Sequence, residues 1–207
     1  MYENTLIIFT SDNGPYPTFR GKRTGFVRGS KLSLYVGGTR MPFIVSWPGH
    51  VPSGSVDSTS VISGLDIFPT IADIVGFPMP DRYSFDGESR RKVWLGKPSE
   101  RNKPLFWEYG SAGDESGYNF PGKGRGYKTK KGEVSRDRSP NLAIQQGMWK
   151  LLMDYDGDNV ELYNLNSDPG EVDNLKQKYP QKVKELKKKL IEWRVKMPKL
   201  RNNSIFY

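Results

Sequence analysis

The residues of this chain best equipped for chemistry stand near its start. Asp12 and Asn13 lie side by side in the turn Ser11-Asp12-Asn13-Gly14. A carboxylate next to an amide carbonyl offers hard oxygen donors, the kind that Ca²⁺ or Mg²⁺ takes. Two donors fall short of the roughly six to eight oxygens around Ca²⁺, so further ligands have to come from elsewhere. Lys31 follows Arg28-Gly29-Ser30. An ammonium on such a small, pliable stretch can act as a point charge for a tetrahedral oxyanion. The same residues also have plainer uses. Asp-Asn-Gly is a common turn tripeptide, because all three residues tolerate turn geometry, and a Lys after Gly-Ser is usually solvated. Asp156-Gly157-Asp158 looks like a loose Ca²⁺ loop, but the EF-hand spacing with its closing Glu is absent, and it reads as a hairpin turn. Ser63 and Asp66 have capping-box-like spacing, which makes Asp66 a helix cap rather than a catalyst. The single histidine, His50, reads as a loop residue.

Leu6-Ile7-Ile8-Phe9 must position the first pair. It is short, apolar and without alternation, which predicts a strand buried on both faces. The turn then puts its oxygen donors at the C-terminal end of a strand, where ligands bind in open α/β sheets. Met41 to Trp47 predicts a second buried strand. Ser63 to Val75 predicts a helix with Leu65, Phe68, Ala72 and Val75 on one apolar face, Pro69 in its first turn and Gly76 as its stop. Residues 77–103 are a linker in composition, and a boundary near residue 98 separates a region 1–98 from a region 99–207. Leu105 to Tyr109, Leu142 to Gln146, Trp149 to Asp154 and Val160 to Asn164 predict short antiparallel strands. From Pro180 to Met197 the apolar residues Val183, Leu186, Leu190, Trp193 and Met197 recur at three and four, so a final helix packs one face on that sheet.

The chain has 207 residues, no Cys and a net charge of +9. That length allows one or two domains with a sizeable core. Disulfides and thiolate metal sites are excluded. No apolar run is long enough for a transmembrane helix, and the N-terminus lacks the regions of a signal peptide. Positive charge gathers in residues 122–138 and 176–201, a surface able to attract polyanions. The Lys-rich face of the last helix reads as solvating. Residues 110–138 form a long Gly- and Lys-rich insert in which Tyr118, Phe120 and Tyr127 alternate with basic residues. Such a loop either grips a sulfated sugar or moves without function.

Several segments in order carry a resemblance. They are Thr5 to Pro15, Arg28 to Tyr35, Gly37-Gly38-Thr39-Arg40-Met41-Pro42-Phe43-Ile44-Val45 and Trp47-Pro48-Gly49. Leu65-Asp66-Ile67-Phe68-Pro69-Thr70, Asp86-Gly87-Glu88-Ser89, Leu105 to Tyr109, Gly147-Met148-Trp149-Lys150-Leu151 and Glu161 to Leu165 follow. Asp168-Pro169-Gly170-Glu171 with Asn174-Leu175 closes the series. Together they resemble the sulfatase family of the alkaline-phosphatase-like superfamily, C-terminal half only. The resemblance implies an α/β fold: the C-terminal part of a sulfatase α/β domain, then a small antiparallel sheet packed with a C-terminal helix. It implies a calcium-dependent sulfuric ester hydrolase, with Asp12 and Asn13 as ligands of Ca²⁺ and Lys31 as a catalytic, substrate-binding residue. Family members carry upstream a Cys or Ser in a Cys/Ser-x-Pro-x-Arg motif, oxidised to the formylglycine nucleophile. That motif is absent here, so the chain alone is expected to be inactive and to need a missing N-terminal half. Val36 stands where many members have Glu. The implied substrate is a sulfated small molecule or sulfated glycan, nucleic acid is not an expected partner, and the implied location is periplasmic, secreted or lysosomal. Two other classes remain open: a phosphodiesterase or phosphonate hydrolase of the same superfamily, and a non-catalytic polyanion-binding module.

Overall fold

The structure is a computed structural model and describes residues 2–16, 23–25, 27–31, 33–80, 82–109, 127–128, 134–135 and 139–197. In chain order the elements are β1 (Ile7–Thr10), α1 (Val36–Thr39), β2 (Phe43–Ser46), α2 (Ile67–Ile74), α3 (Arg91–Trp94), β3 (Leu105–Glu108), β4 (Tyr127–Lys128), β5 (Val134–Ser135), β6 (Leu142–Gln146), β7 (Trp149–Met153), β8 (Glu161–Asn164) and α4 (Pro180–Lys196). They fall into two compact units: Met1–Asn13 with Arg40–Leu105, and Gly14–Thr39 with Phe106–Tyr207.

In the first unit β1 and β2 pair antiparallel, Ile7 opposite Ser46 and Thr10 opposite Phe43. Both strands form where the apolar runs predict them, but they are not buried on both faces. Ile7 is 44% exposed, Phe9 60% and Ile44 57%. An apolar run reports the surroundings a strand is suited to, and a two-stranded ribbon supplies no layer above or below it. The helix repeats the pattern. Ser63 and Asp66 form the expected capping box, with the Ser63 N–H donating to Asp66 Oδ2 at 2.8 Å. A short 3-10 turn, Gly64–Asp66, then leads into α2. Yet Leu65, Phe68 and Val75 face solvent, whereas Pro69, Thr70 and Ala72 are buried.

Those buried residues receive the stretch that looks like a linker by composition. Asp66 Oδ1 accepts the Glu88 N–H at 3.0 Å, and Thr70 Oγ1 accepts the Arg90 N–H at 2.9 Å. Asp66, fully buried, also pairs with the buried guanidinium of Arg101. Arg90 donates to Glu88 at 2.9 Å and to the carbonyls of Glu100 and Ser99 at 2.7 and 2.6 Å. Glu88 in turn accepts the N–H groups of Asn102 and Lys103, which hold its carboxyl below the usual carboxylate range although partial burial pushes the other way. The charges that give residues 86–103 their linker composition therefore fold them.

The second unit is built on a four-stranded sheet of order β3-β6-β7-β8. Leu142 faces Met153 across β6 and β7, and Trp149 faces Asn164 across β7 and β8, both pairs antiparallel. One face carries Leu142, Ile144, Leu151, Met153 and Leu162 against Leu186 and Leu190 of α4, as the helical period predicts. Phe106 stacks on Trp193 with ring centroids 5.0 Å apart. The alternate residues Ala143, Leu152 and Tyr163 pack on the other face against Leu34 and Tyr35. The segment before α1 thus closes the sheet from the side opposite α4. Tyr118 and Phe120 of the basic insert lie outside the described residues, where only the backbone pairing of β4 with β5 is described. Among the described residues no helix is long and apolar enough to cross a membrane.

Each fully buried leucine on α4 contributes about 1.5–3 kcal/mol by removal from water. Leu190→Ala is expected to cost about 2–5 kcal/mol, transfer plus cavity. Val195→Ala, on a side chain 77% exposed, is expected to stay within about 0.5 kcal/mol. Chemical denaturation of the two variants checks the difference.

Candidate functional site

Lys31 sits in a segment whose backbone is packed without room for side chains. The Gly14 N–H donates to the Gly38 carbonyl at 2.8 Å, the Lys31 N–H to Pro15 at 2.9 Å and the Gly37 N–H to Arg28 at 2.6 Å. A methyl group added at Gly37 would stand 2.4 Å from the Gly29 carbonyl oxygen, and one at Gly38 2.0 Å from that of Ser33. The paired glycines are required because the turn bearing Lys31 lies directly on their backbone. Lys31 itself is half-buried, and its Nζ has no hydrogen bond or ion pair among the described residues.

Side chains of the sheet hold this segment in place. Arg28 lies over the Tyr35 ring at 3.8 Å and donates to Tyr163 Oη at 3.0 Å and to the Glu171 carbonyl at 3.3 Å. Its guanidinium is 3.6 Å from Glu161. Both phenols, Tyr35 and Tyr163, donate to Glu161 at 2.9 and 2.8 Å. Burial, followed by the Glu161 carboxylate, raises both phenol pKa values well above the ordinary tyrosine range, so both stay protonated donors. Ser139 Oγ accepts the Leu34 N–H at 2.8 Å. Val36, where the resemblance expects Glu, is buried, and its N–H meets Glu171 Oε2 at 2.6 Å. The other oxygen of Glu171 stands 2.9 Å from Lys150 Nζ, and both side chains are fully buried. Burial pushes the Lys150 ammonium down and the Glu171 carboxyl up, each opposed by the charge of the other.

Asp12 and Asn13 end the first stretch of the other unit, at the C-terminal end of β1. Asp12 is exposed, with Ser11 Oγ 3.4 Å from its carboxylate. Asn13 Oδ1 is buried and has no hydrogen-bond partner among the described residues. A buried amide oxygen left unpaired is costly, and a hard cation would satisfy it. The residues present therefore fit part of an oxygen-donor site. They do not complete one: among the described residues no three His, Cys, Asp or Glu side chains are grouped to hold a metal. Of the sequence-predicted site residues, Asp12 and Asn13 thus fall in the first unit and Lys31 in the second. His50 stacks on Trp47 with centroids 3.8 Å apart, as befits a loop residue. A cleft of about 330 Å³ in the second unit is lined by Ser139, Asp154, Asn159, Glu161, Asn174 and Lys176 among others. Its carboxylates are engaged by neighbours: Asp154 by Asn141 and Asn159, Glu161 by the two phenols.

Residues 30–196 match the family described as N-sulphoglucosamine sulphohydrolase, C-terminal. The chain is 28% identical to an N-acetylgalactosamine-6-O-sulfatase of Bacteroides thetaiotaomicron, over 89% of this chain and 35% of that protein. It is 33% identical to human arylsulfatase A, over 84% of this chain and 34% of that protein. A solved structure from work on glycosaminoglycan metabolism by Bacteroides thetaiotaomicron superposes with a TM-score of 0.66 at 26% identity, over 94% of this chain and 40% of that one. The chain spans about a third of the length of these curated relatives.

Gly38→Ala is expected to destabilise the second unit by about 1–3 kcal/mol or more, since its new methyl group meets backbone rather than a side chain that can turn away. Gly64→Ala, where a Cβ would find nothing within 4 Å, is the control and is expected to be near neutral. Denaturant midpoints of the two variants make the comparison.

Proposed function

The chain belongs to the sulfatase family, within its N-sulphoglucosamine sulphohydrolase C-terminal group, and from that premise we propose that it is the C-terminal part of an enzyme hydrolysing a sulfate ester. Asp12 and Asn13 are two of the ligands of a Ca²⁺ ion, and Lys31 binds the sulfate group. The observation that carries this reading is the buried Oδ1 of Asn13, without a hydrogen-bond partner among the described residues, beside an exposed carboxylate at a strand end. A bound cation of this kind offsets the charge of the sulfate oxygens and of the attacking alkoxide. Lys31 stands on a turn stiffened by the Gly37-Gly38 backbone, and its ammonium has no partner among the described residues. It supplies a fixed positive charge where negative charge develops in the transition state.

The nucleophile comes from outside this sequence, which has no Cys and no Ser in the motif that is converted to formylglycine. The first unit has the surface to receive a larger partner. Phe9, Ile44, Leu65, Phe68 and Val75 are all more than half exposed, and each edge of a two-stranded ribbon offers unpaired backbone groups. The missing front part of the α/β domain is the partner that fits such a surface. A sulfated sugar is the substrate class supported by the relative that acts on N-acetylgalactosamine 6-O-sulfate by name. A periplasmic, secreted or lysosomal location goes with that reading.

Two measurements test it. The purified chain by itself is expected to show no turnover of an aryl sulfate; measurable turnover would contradict the need for an external nucleophile. In the complete enzyme, Lys31→Ala is expected to lower kcat by about tenfold to a thousandfold, the scale of a lost oxyanion donor. An unchanged rate removes Lys31 from the site.

A further inference from the structure

The function described so far leaves the Lys150–Glu171 pair unused. Both side chains are fully buried and their charges stand 2.9 Å apart. Lys150 lies in β7, at a position facing the same way as Leu152 on the sheet face that packs against Leu34 and Tyr35. Glu171 follows β8 in a turn whose backbone is unusual: its φ is +54°, in the left-handed region that residues other than glycine rarely adopt. Asp168 stabilises that turn. Its carbonyl accepts the Glu171 N–H at 3.2 Å, and its carboxylate accepts the N–H groups of Val172 and Asp173 at 2.8 and 2.9 Å. The outcome is a carboxylate aimed into the interior.

Glu171 meets both ends of the loop that carries Lys31, one through its backbone carbonyl and the other through its carboxylate. The Glu171 carbonyl accepts from Arg28 at 3.3 Å, and Oε2 accepts the Val36 N–H at 2.6 Å. The loop is closed at the same place by its own bond from the Gly37 N–H to the Arg28 carbonyl at 2.6 Å. Arg28 and Val36 bracket Lys31, and Glu171 touches both. We propose that Glu171, paired with Lys150, is the positioning residue of Lys31: the C-terminal sheet sets where the sulfate-binding ammonium stands by gripping the two ends of its loop. This rests on the reading of Lys31 as the sulfate ligand. Burying an ion pair is often no better for stability than apolar packing of the same volume. A carboxylate does offer a stronger and more directional acceptor for the Val36 N–H than an apolar side chain can.

The test is a double-mutant cycle in the complete enzyme, with kcat and KM for an aryl sulfate measured separately. Glu171→Leu with Lys150→Met replaces the pair by apolar groups and removes the acceptor for Val36. Glu171→Gln with Lys150→Met keeps an acceptor. The Leu/Met enzyme is expected to stay folded but to melt somewhat below wild type, because the buried Val36 N–H is left unpaired, and to lose kcat by about tenfold to a hundredfold, the cost of a misplaced group. The Gln/Met enzyme is expected to recover most of that loss. Lys31→Ala is expected to cost at least about threefold less in the Leu/Met background than in wild type, because coupled sites are not additive. Multiplicative losses, or full activity in the Leu/Met enzyme, overturn the proposal. A wild-type rate for Lys31→Ala alone overturns the sulfate role of Lys31 and, with it, the functional consequence drawn here. Hydrogen exchange on the unsubstituted chain needs no variant to fold: the Val36 amide is expected to exchange as slowly as the amides of β7, and fast exchange at Val36 overturns the grip itself.

Discussion

The second unit is arranged around one buried contact between opposite charges. Lys150 and Glu171 have no solvent exposure, and each stands in surroundings that push it towards its neutral form. Neither is tolerable alone, because an uncompensated charge in that interior costs several kcal/mol, roughly 3–5 in measured cases. Their mutual attraction therefore fixes the distance between β7 and the turn after β8. Through the Val36 N–H it also fixes the segment lying over the sheet. Around it the polar groups are paired in sequence: Arg28 over Tyr35, Arg28 to Tyr163, and both tyrosines to Glu161. A buried network of this kind is specific because any member left unpaired is penalised.

The two units manage their apolar residues differently. In the second, both sheet faces are covered, one by α4 and the other by Leu34 and Tyr35. In the first, order comes from a charged cluster of Asp66, Glu88, Arg90 and Arg101, while large apolar side chains on β1, β2 and α2 remain outside. Exposed hydrophobic groups in such numbers mark a surface suited to further protein. That agrees with a chain about a third as long as its curated relatives.

The parts of the fold legible in the sequence are those whose periodicity is local. The strands from Leu142, Trp149 and Glu161 lie where short apolar runs between turns place them, and the helix from Pro180 where the three-four spacing does. The cover on the second sheet face was not legible. Its contacts join residues 105 and 135 positions apart, as between Leu34 and Ser139 or Val36 and Glu171, and no local pattern encodes them. Leu6 to Phe9 gave the right element with the wrong surroundings, since an apolar run cannot say whether its covering layer is in the same chain. Asp12, Asn13 and Lys31 are proposed from residue types, spacing and family likeness. Lys150 and Glu171 were missed, although one signal was present: a lysine in the middle of Trp149-Lys150-Leu151-Leu152-Met153, a strand otherwise apolar. The left-handed backbone at Glu171 leaves no such trace.

The most direct test of the central claim is a crystal structure of the complete enzyme grown with calcium and sulfate. The account expects one ion with Asp12 and Asn13 side-chain oxygens at about 2.3–2.6 Å, and the Lys31 ammonium within hydrogen-bonding distance of a sulfate oxygen. An ion bound elsewhere, with the Asn13 oxygen satisfied by protein and Lys31 pointing into solvent, would contradict it.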